Sequence, residues 1–241
     1  MRITPVRTGI FQEGGSIAAF ILEHIPSARA ESIIVITSKI VALSQRRTAH
    51  ASTEKEKDKI IRAESEYALK TPHAWLTIKD GDVMPSAGID ESNADGKIIL
   101  LPTDSMNVAS KLRATLCRAY RVKDLGILIT DSRTLPLRAG TIGMALGYAG
   151  FLGIKDYRKK RDLCGRAFRV TRVDIADSLA AAAVCTMGEG GECQPLAIMT
   201  DTPVEFRARS HPDELRIPLH DDMYAPLFRR VFEQRRMKKS L

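Results

Sequence analysis

The stretch Leu125-Gly126-Ile127-Leu128-Ile129-Thr130-Asp131-Ser132-Arg133 decides how the rest of the chain is read. Its apolar run is rich in Ile and Leu and long enough for a buried strand. The run stops at Asp131, Ser132 and Arg133, which predicts that the strand ends there in a turn. A carboxylate at the carboxyl end of a buried strand sits where open α/β sheets bind ligands. Leu135 to Gly150 follows, with glycines at 140, 143, 147 and 150. Glycine lets a backbone approach a ligand or another backbone closely, so this segment reads as tightly packed.

Outward from this centre, hydrophobic periodicity predicts a mixed chain. A first strand is expected over 3–10, at an edge because Pro5 cannot donate to a ladder. A helix over 17–25 is capped by Ser16, and a clean buried strand runs over 32–37. A charged helix is expected over 53–69, then a short strand at 75–78 turned by Asp80-Gly81. A polar loop fills 85–96, followed by a strand at 97–101 and a helix from Asp104 or Ser105 to Tyr120. Beyond the centre come a basic loop over 156–166, a strand over 167–173, an alanine-crowded helix over 175–187 and a strand over 196–199. Strands and helices do not alternate strictly, which favours α+β over a doubly wound sheet. Pro203, Pro212, Pro218 and Pro226 punctuate a loop-rich extension. The chain therefore divides into a catalytic unit, 1–199, and an extension, 200–241.

Composition narrows the class. With 241 residues, 44% hydrophobic and 27% charged, the chain reads as an ordinary globular protein. A net charge of +8 favours anionic partners. Four cysteines without CxxC spacing argue against a zinc site or a disulfide scaffold, and point to the cytoplasm. No apolar run approaches the roughly 20 residues a membrane span requires. Five histidines are scattered away from any nucleophile motif.

Three acidic clusters fall in turns: Asp90 with Ser92 and Asn93, Asp131 with Ser132, and Glu189 after Met187-Gly188. Oxygen donors of this kind suit hard divalent ions. There is no G-x-x-x-x-G-K-[ST] loop. A nucleotide would have to be held otherwise, for example on backbone N–H groups of Gly188 and Gly190. The same glycines also read as a helix C-cap. Asp177, at a helix start, reads as a cap or ion-pair partner.

These residues resemble one family. Thr37-Ser38-Lys39-Ile40-Val41, Ala87-Gly88-Ile89-Asp90-Glu91-Ser92-Asn93 and Thr130-Asp131-Ser132 are similar to motifs of the coenzyme F420-0 γ-glutamyl ligases. So are Asp156-Tyr157-Arg158 with Arg161-Asp162 and Gly165, Ala176-Asp177-Ser178-Leu179-Ala180, and Met187-Gly188-Glu189. All are collinear with the family pattern. The resemblance implies an α+β fold with a mixed sheet and two intertwined lobes. It also implies a homodimer with its active site near the subunit interface. It implies a GTP-dependent ligase that joins L-glutamate to a carboxylate of coenzyme F420-0 through an acyl phosphate, with Mg²⁺ or Mn²⁺ and K⁺ as ions. By position, Asp90 and Asp131 would hold one metal, and Ser132 and Glu189 a second. Gly9, Ile10, Phe11, Gln12, Ser38, Lys39 and Asn93 would contact the nucleotide. Ser132 replaces the usual threonine and Glu189 a frequent glutamine. Leu43 and Gln45 stand near a lysine and a glutamate of the pattern.

Such chemistry needs no protein nucleophile, because phosphoryl transfer rests on positioning and charge neutralisation. A folate is the alternative acceptor, since it too ends in a free carboxylate. Arg158, Arg161 and Arg166 are candidates to bind an anionic acceptor. The rival class is a basic RNA-binding protein, disfavoured by only 5% aromatic residues. The basic run from Arg235 to Lys239 reads as a solvated tail.

Overall fold

The computed structural model describes residues 1–92, 94, 96–208, 210–218 and 220–228. Its first half contains β1 (Arg2–Val6), α1 (Ile17–His24), β2 (Ser32–Thr37), α2 (Ser38–Ser44), β3 (Thr48–Ala49), α3 (Glu54–Glu64), β4 (Tyr67–Lys70), β5 (Trp75–Lys79), β6 (Asp82–Pro85) and β7 (Ile98–Ile99). The second half contains α4 (Ser105–Tyr120), β8 (Leu125–Thr134), β9 (Thr141–Ala149), β10 (Ile154–Asp156), β11 (Arg172–Asp174), α5 (Ile175–Met187) and β12 (Leu196–Thr200).

Five strands form the central sheet in the order β1-β12-β2-β8-β9. Only β2 and β8 pair in parallel, so the sheet is mixed and the fold is α+β. Pro5 lies on the edge strand, where a missing N–H is harmless. Along β2 the side chains alternate between two cores. Ile34 and Ile36 pack with α1, α2 and α4, while Ile33 and Val35 pack with α5. A strand covered on both faces has no polar face to show, which is why 32–37 reads as unbroken apolar sequence. Each large side chain buried this way contributes roughly 1.5–3 kcal/mol.

β8 corrects the expectation at the centre of the chain. The strand does not stop at Asp131. It runs on to Thr134, and Leu135 to Gly150 returns largely as β9. Asp131, Ser132 and Arg133 lie opposite Met144, Gly143 and Ile142. The parallel ladder with β2 ends at Thr37 and Thr130, so Asp131 is the first residue beyond it. A β-bulge falls at that same point, between Ile129 and Thr130. Polar side chains are tolerated here because the strand has left its parallel neighbour and borders a cleft.

The glycines of β9 serve close packing. A Cβ on Gly143 would lie 2.4 Å from the Ala180 carbonyl oxygen of α5, and one on Gly147 would lie 2.5 Å from the backbone of Ser105. Buried Ala176, Ala180 and Ala183 bring α5 close against β9.

A smaller unit, β4-β5-β6, packs with α3 around Ile61, Trp75 and Ala87. Here the helix expected over 53–69 ends at Glu64. Ser65 is extended, and Tyr67 to Lys70 pair with β5 instead. Hairpin pairing with β5 overrides the helical signal. The strand expected over 97–101 shortens to β7, that over 3–10 ends early at Val6 in β1, and that over 167–173 is met only at its end by β11. The helix over 175–187 is reproduced, but Asp174 caps it rather than Asp177.

Residues beyond β12 return to the second core, where Val204, Phe206 and Leu215 pack. Glu214 accepts hydrogen bonds from the Tyr148 hydroxyl at 2.6 Å and the Gly153 N–H at 2.8 Å. Among the described residues no helix is long and apolar enough to cross a membrane. The basic run from Arg235 to Lys239 lies outside the described residues.

Candidate active site

Five chain segments far apart in sequence meet in a cleft of about 470 Å³. The turn after β1 brings Gly9, Ile10 and Phe11, and the start of α2 brings Ser38 and Lys39. The loop before β7 brings Asp90 and Ser92. β8 adds Thr130, Asp131 and Ser132, and the end of α5 with its loop adds Gly188, Glu189, Gly190 and Glu192. Asp90, Asp131, Ser132 and Glu189 thus line one cleft.

Each acidic group already has a partner. Ser38 Oγ donates to Asp131 Oδ1 at 2.7 Å, and Arg133 forms an ion pair with the same carboxylate. Lys39 Nζ lies 2.7 Å from Asp90 Oδ2 and donates to Ser92 O and Oγ at 3.0 and 3.1 Å. Burial alone would push the Asp90 carboxyl up, but Lys39 and Ser92 outweigh it and hold the pKa below the ordinary value. Ser132 Oγ donates to Glu189 Oε1 at 2.5 Å, joining β8 to the end of α5.

The donor chemistry fits hard divalent ions, because every side-chain ligand candidate offers oxygen. Among the described residues, no three His, Cys, Asp or Glu side chains are grouped closely enough to cage an ion. Sparse protein ligation of this type suits Mg²⁺, which commonly takes one or two carboxylates and completes its shell with water and substrate phosphates. Thr130 Oγ1 is buried without a hydrogen-bond partner among the described residues and borders the same cleft.

Not every expected residue gives its side chain to this space. Phe11 borders the cleft, but its ring packs into the first core, edge-on to Phe20 with ring centroids 5.0 Å apart. Gln12 does not line the cleft, and Asn93 lies outside the described residues. Leu43 lines the cleft, whereas the Gln45 amide clips the Thr103 backbone, accepting from its N–H at 2.8 Å and donating to its carbonyl at 2.9 Å. Gly190 N–H donates to Glu192 Oε2 at 2.8 Å, so an internal carboxylate occupies part of the glycine loop.

The sequence reading missed Arg133. It is 2% exposed, and its Nη1 also donates to the Ser132 carbonyl at 3.1 Å. Burial draws its pKa down, offset in part by Asp82 and Asp177. A buried arginine directly behind a cleft carboxylate holds that carboxylate in place. Its sequence signal, one cation after a buried run, is indistinguishable from the start of a loop.

Comparison with known proteins adds an independent finding. The profile of the F420-0:Gamma-glutamyl ligase family matches residues 5–201. The chain is similar to the Coenzyme F420:L-glutamate ligase of Methanothermobacter thermautotrophicus, 39% identical over 146 residues, which make up 59% of this chain and 58% of that protein. It is 32% identical over 209 residues to the protein of the same name from Methanopyrus kandleri, covering 85% of this chain and 82% of the relative. The match to that of Methanocaldococcus jannaschii is 36% over 146 residues, covering 61% and 58%. The first and third alignments thus span a little over half of those relatives, the second most of its relative.

Proposed function

We propose, since the chain belongs to the F420-0:Gamma-glutamyl ligase family, that it joins L-glutamate by an amide bond to a carboxylate of coenzyme F420-0. The observation that carries the mechanism is the convergence of Asp90, Asp131, Ser132 and Glu189 with Ser38 and Lys39 in one cleft.

A carboxylate and an ammonium do not condense in water without activation. In the proposed reaction a carboxylate oxygen of the acceptor attacks the terminal phosphorus of GTP. The bond from that phosphorus to the bridging oxygen breaks, releasing the nucleoside diphosphate and forming an acyl phosphate. The glutamate amine, having lost a proton, then attacks the acyl carbon. The carbon–oxygen bond to phosphate breaks and inorganic phosphate departs.

Asp90 and Asp131 would hold one divalent ion, and Ser132 and Glu189 another. When bound, such ions neutralise phosphate charge and favour loss of the diphosphate. Lys39 would exchange its contacts with Ser92 for phosphate oxygens, supplying a cation where negative charge builds up. Ser38 and Arg133 keep Asp131 oriented. The Gly190 backbone N–H would receive phosphate once the Glu192 carboxylate withdraws, whereas the Gly188 N–H is spent on the Val184 carbonyl as the cap of α5.

The test is mass spectrometry of coenzyme F420-0 incubated with the protein, GTP, Mn²⁺ and glutamate. Addition of one glutamyl unit is expected. A folate that gains glutamate while F420-0 does not would overturn the acceptor assignment. With ¹⁸O in the acceptor carboxylate, one label should emerge in phosphate, and retention of all label in the amide would eliminate the acyl phosphate.

A further inference from the structure

A second cavity, of about 670 Å³, opens at the other end of α5. The reaction cleft touches Val184 and Met187 at the carboxyl end of this helix, whereas the second cavity touches Ile175, its first residue. At ~1.5 Å per residue the helix separates them by roughly 14–18 Å. Within one chain, the basic hairpin that the sequence offers as an acceptor site therefore lies away from the reacting groups.

The charges around this cavity are unbalanced. Its three acids are satisfied internally. Asp156 pairs with Arg158 at 2.5 Å, Glu205 pairs with Arg207 at 3.1 Å, and Glu214 receives the Tyr148 hydroxyl and the Gly153 N–H. Three further cations, Lys155, Lys160 and Arg172, have no carboxylate in ion-pair contact among the described residues, although Arg172 lies opposite Asp156 across β10 and β11 and helps to lower its pKa. Lys155 and Lys160 are held over the Tyr157 ring at 5.4 and 5.2 Å from its centroid, which limits the freedom lost on binding. Leu152, Ile154 and Val204 add apolar surface to the same lining.

We infer that this cavity binds a small anion whose phosphate or carboxylate groups meet Lys155, Lys160 and Arg172, and whose apolar part rests on Leu152, Ile154 and Val204. The site is distinct from the cleft of the proposed ligation, and only the reading of its ligand as part of the acceptor rests on that assignment. Its ligand is either a free anion or the far end of a long acceptor.

Calorimetric titration of the full chain with phenyl phosphate and with inorganic phosphate tests the site directly. Phenyl phosphate should bind several-fold more tightly, because only it uses the apolar lining, and binding should weaken with added salt. The double variant Lys155→Gln/Arg172→Gln changes two exposed side chains, and should bind at least tenfold more weakly at an unchanged melting temperature. Equal binding by the variant, absence of binding by the parent, or displacement of phenyl phosphate by GTP would each overturn the inference. Acceptor kinetics of the same variant separate the two sources. A higher KM at unchanged kcat assigns the site to the acceptor's far end, and an unchanged KM assigns it to a free anion.

Discussion

Ser38 Oγ donates a 2.7 Å hydrogen bond to Asp131 Oδ1, and the two residues are the first beyond the paired ends of β2 and β8. The only parallel pair of the central sheet therefore delivers a hydroxyl and a carboxylate to the same spot. The hydroxyl of Ser38 fixes one carboxylate oxygen, and Arg133 engages the other from the buried side.

Asp131→Asn is expected to abolish ligase activity and to weaken Mn²⁺ binding sharply, since an anionic ligand is lost. The fold should persist at a cost of roughly 1–3 kcal/mol, because Arg133 loses one partner while Asp82 and Asp177 remain near it. Urea unfolding and Mn²⁺ titration of the same sample measure both. Turnover retained at saturating Mn²⁺ contradicts the role given to Asp131.

Lys39→Met should lower kcat by about 10²-fold, in line with removal of one charge-stabilising donor. It also removes the main opposition to burial at Asp90, so the Asp90 pKa should rise. Carbon-detected NMR titration of the aspartate carboxyls reads that shift without reference to activity. An unmoved Asp90 resonance would show that the ion pair at 2.7 Å is not maintained in solution.

Gly143→Ala places a methyl group 2.4 Å from the Ala180 carbonyl and 2.6 Å from Val184 Cγ2. Overpacking of this sort costs about 1–3 kcal/mol. Gly143 lies opposite Ser132, so displacement of β9 from α5 should also disturb the contact between Ser132 and Glu189. Thermal unfolding and Mn²⁺ affinity should fall together, and a variant as stable as the parent would argue against this packing.

Burial pushes the Asp177 carboxyl up to about 6, despite the hydrogen bond it accepts from the Ala145 N–H at 2.8 Å. A raised carboxylate pKa means that the folded state holds the proton more tightly than the unfolded chain. Its stabilising contribution is complete below the ordinary carboxylate range and disappears as pH rises through about 6. Asp177→Asn keeps an acceptor for Ala145 and cannot ionise. The variant should gain about 1–2 kcal/mol over the parent at pH 8, solvent screening of this half-buried group included, and nothing near pH 4. Denaturant melts at the two pH values decide it.

The sequence by itself determined the elements whose signal is local. β2 and α5 were legible with their bounds, because a short run of Ile and Val favours a buried strand and an alanine-crowded segment stopped by glycine favours a helix. The α+β class followed from the irregular order of strands and helices, and the mixed sheet from the resemblance. The motif residues Asp90, Asp131, Ser132 and Glu189 were legible as chemistry, because oxygen donors in turns stand out against apolar flanks. Their meeting in one cleft was expected only through the resemblance, which put Asp90 and Asp131 on one metal and Glu189 beside it, since no local property of residue 90 depends on residue 189. Only the tertiary structure decided that β8 continues through Asp131 to Thr134, because pairing with β9 supplies hydrogen bonds that the polar sequence does not announce. It likewise ended α3 at Glu64, where pairing with β5 replaces helical bonds. It turned Phe11 into the core and Arg133 against Asp131, since burial is a property of what packs around a side chain.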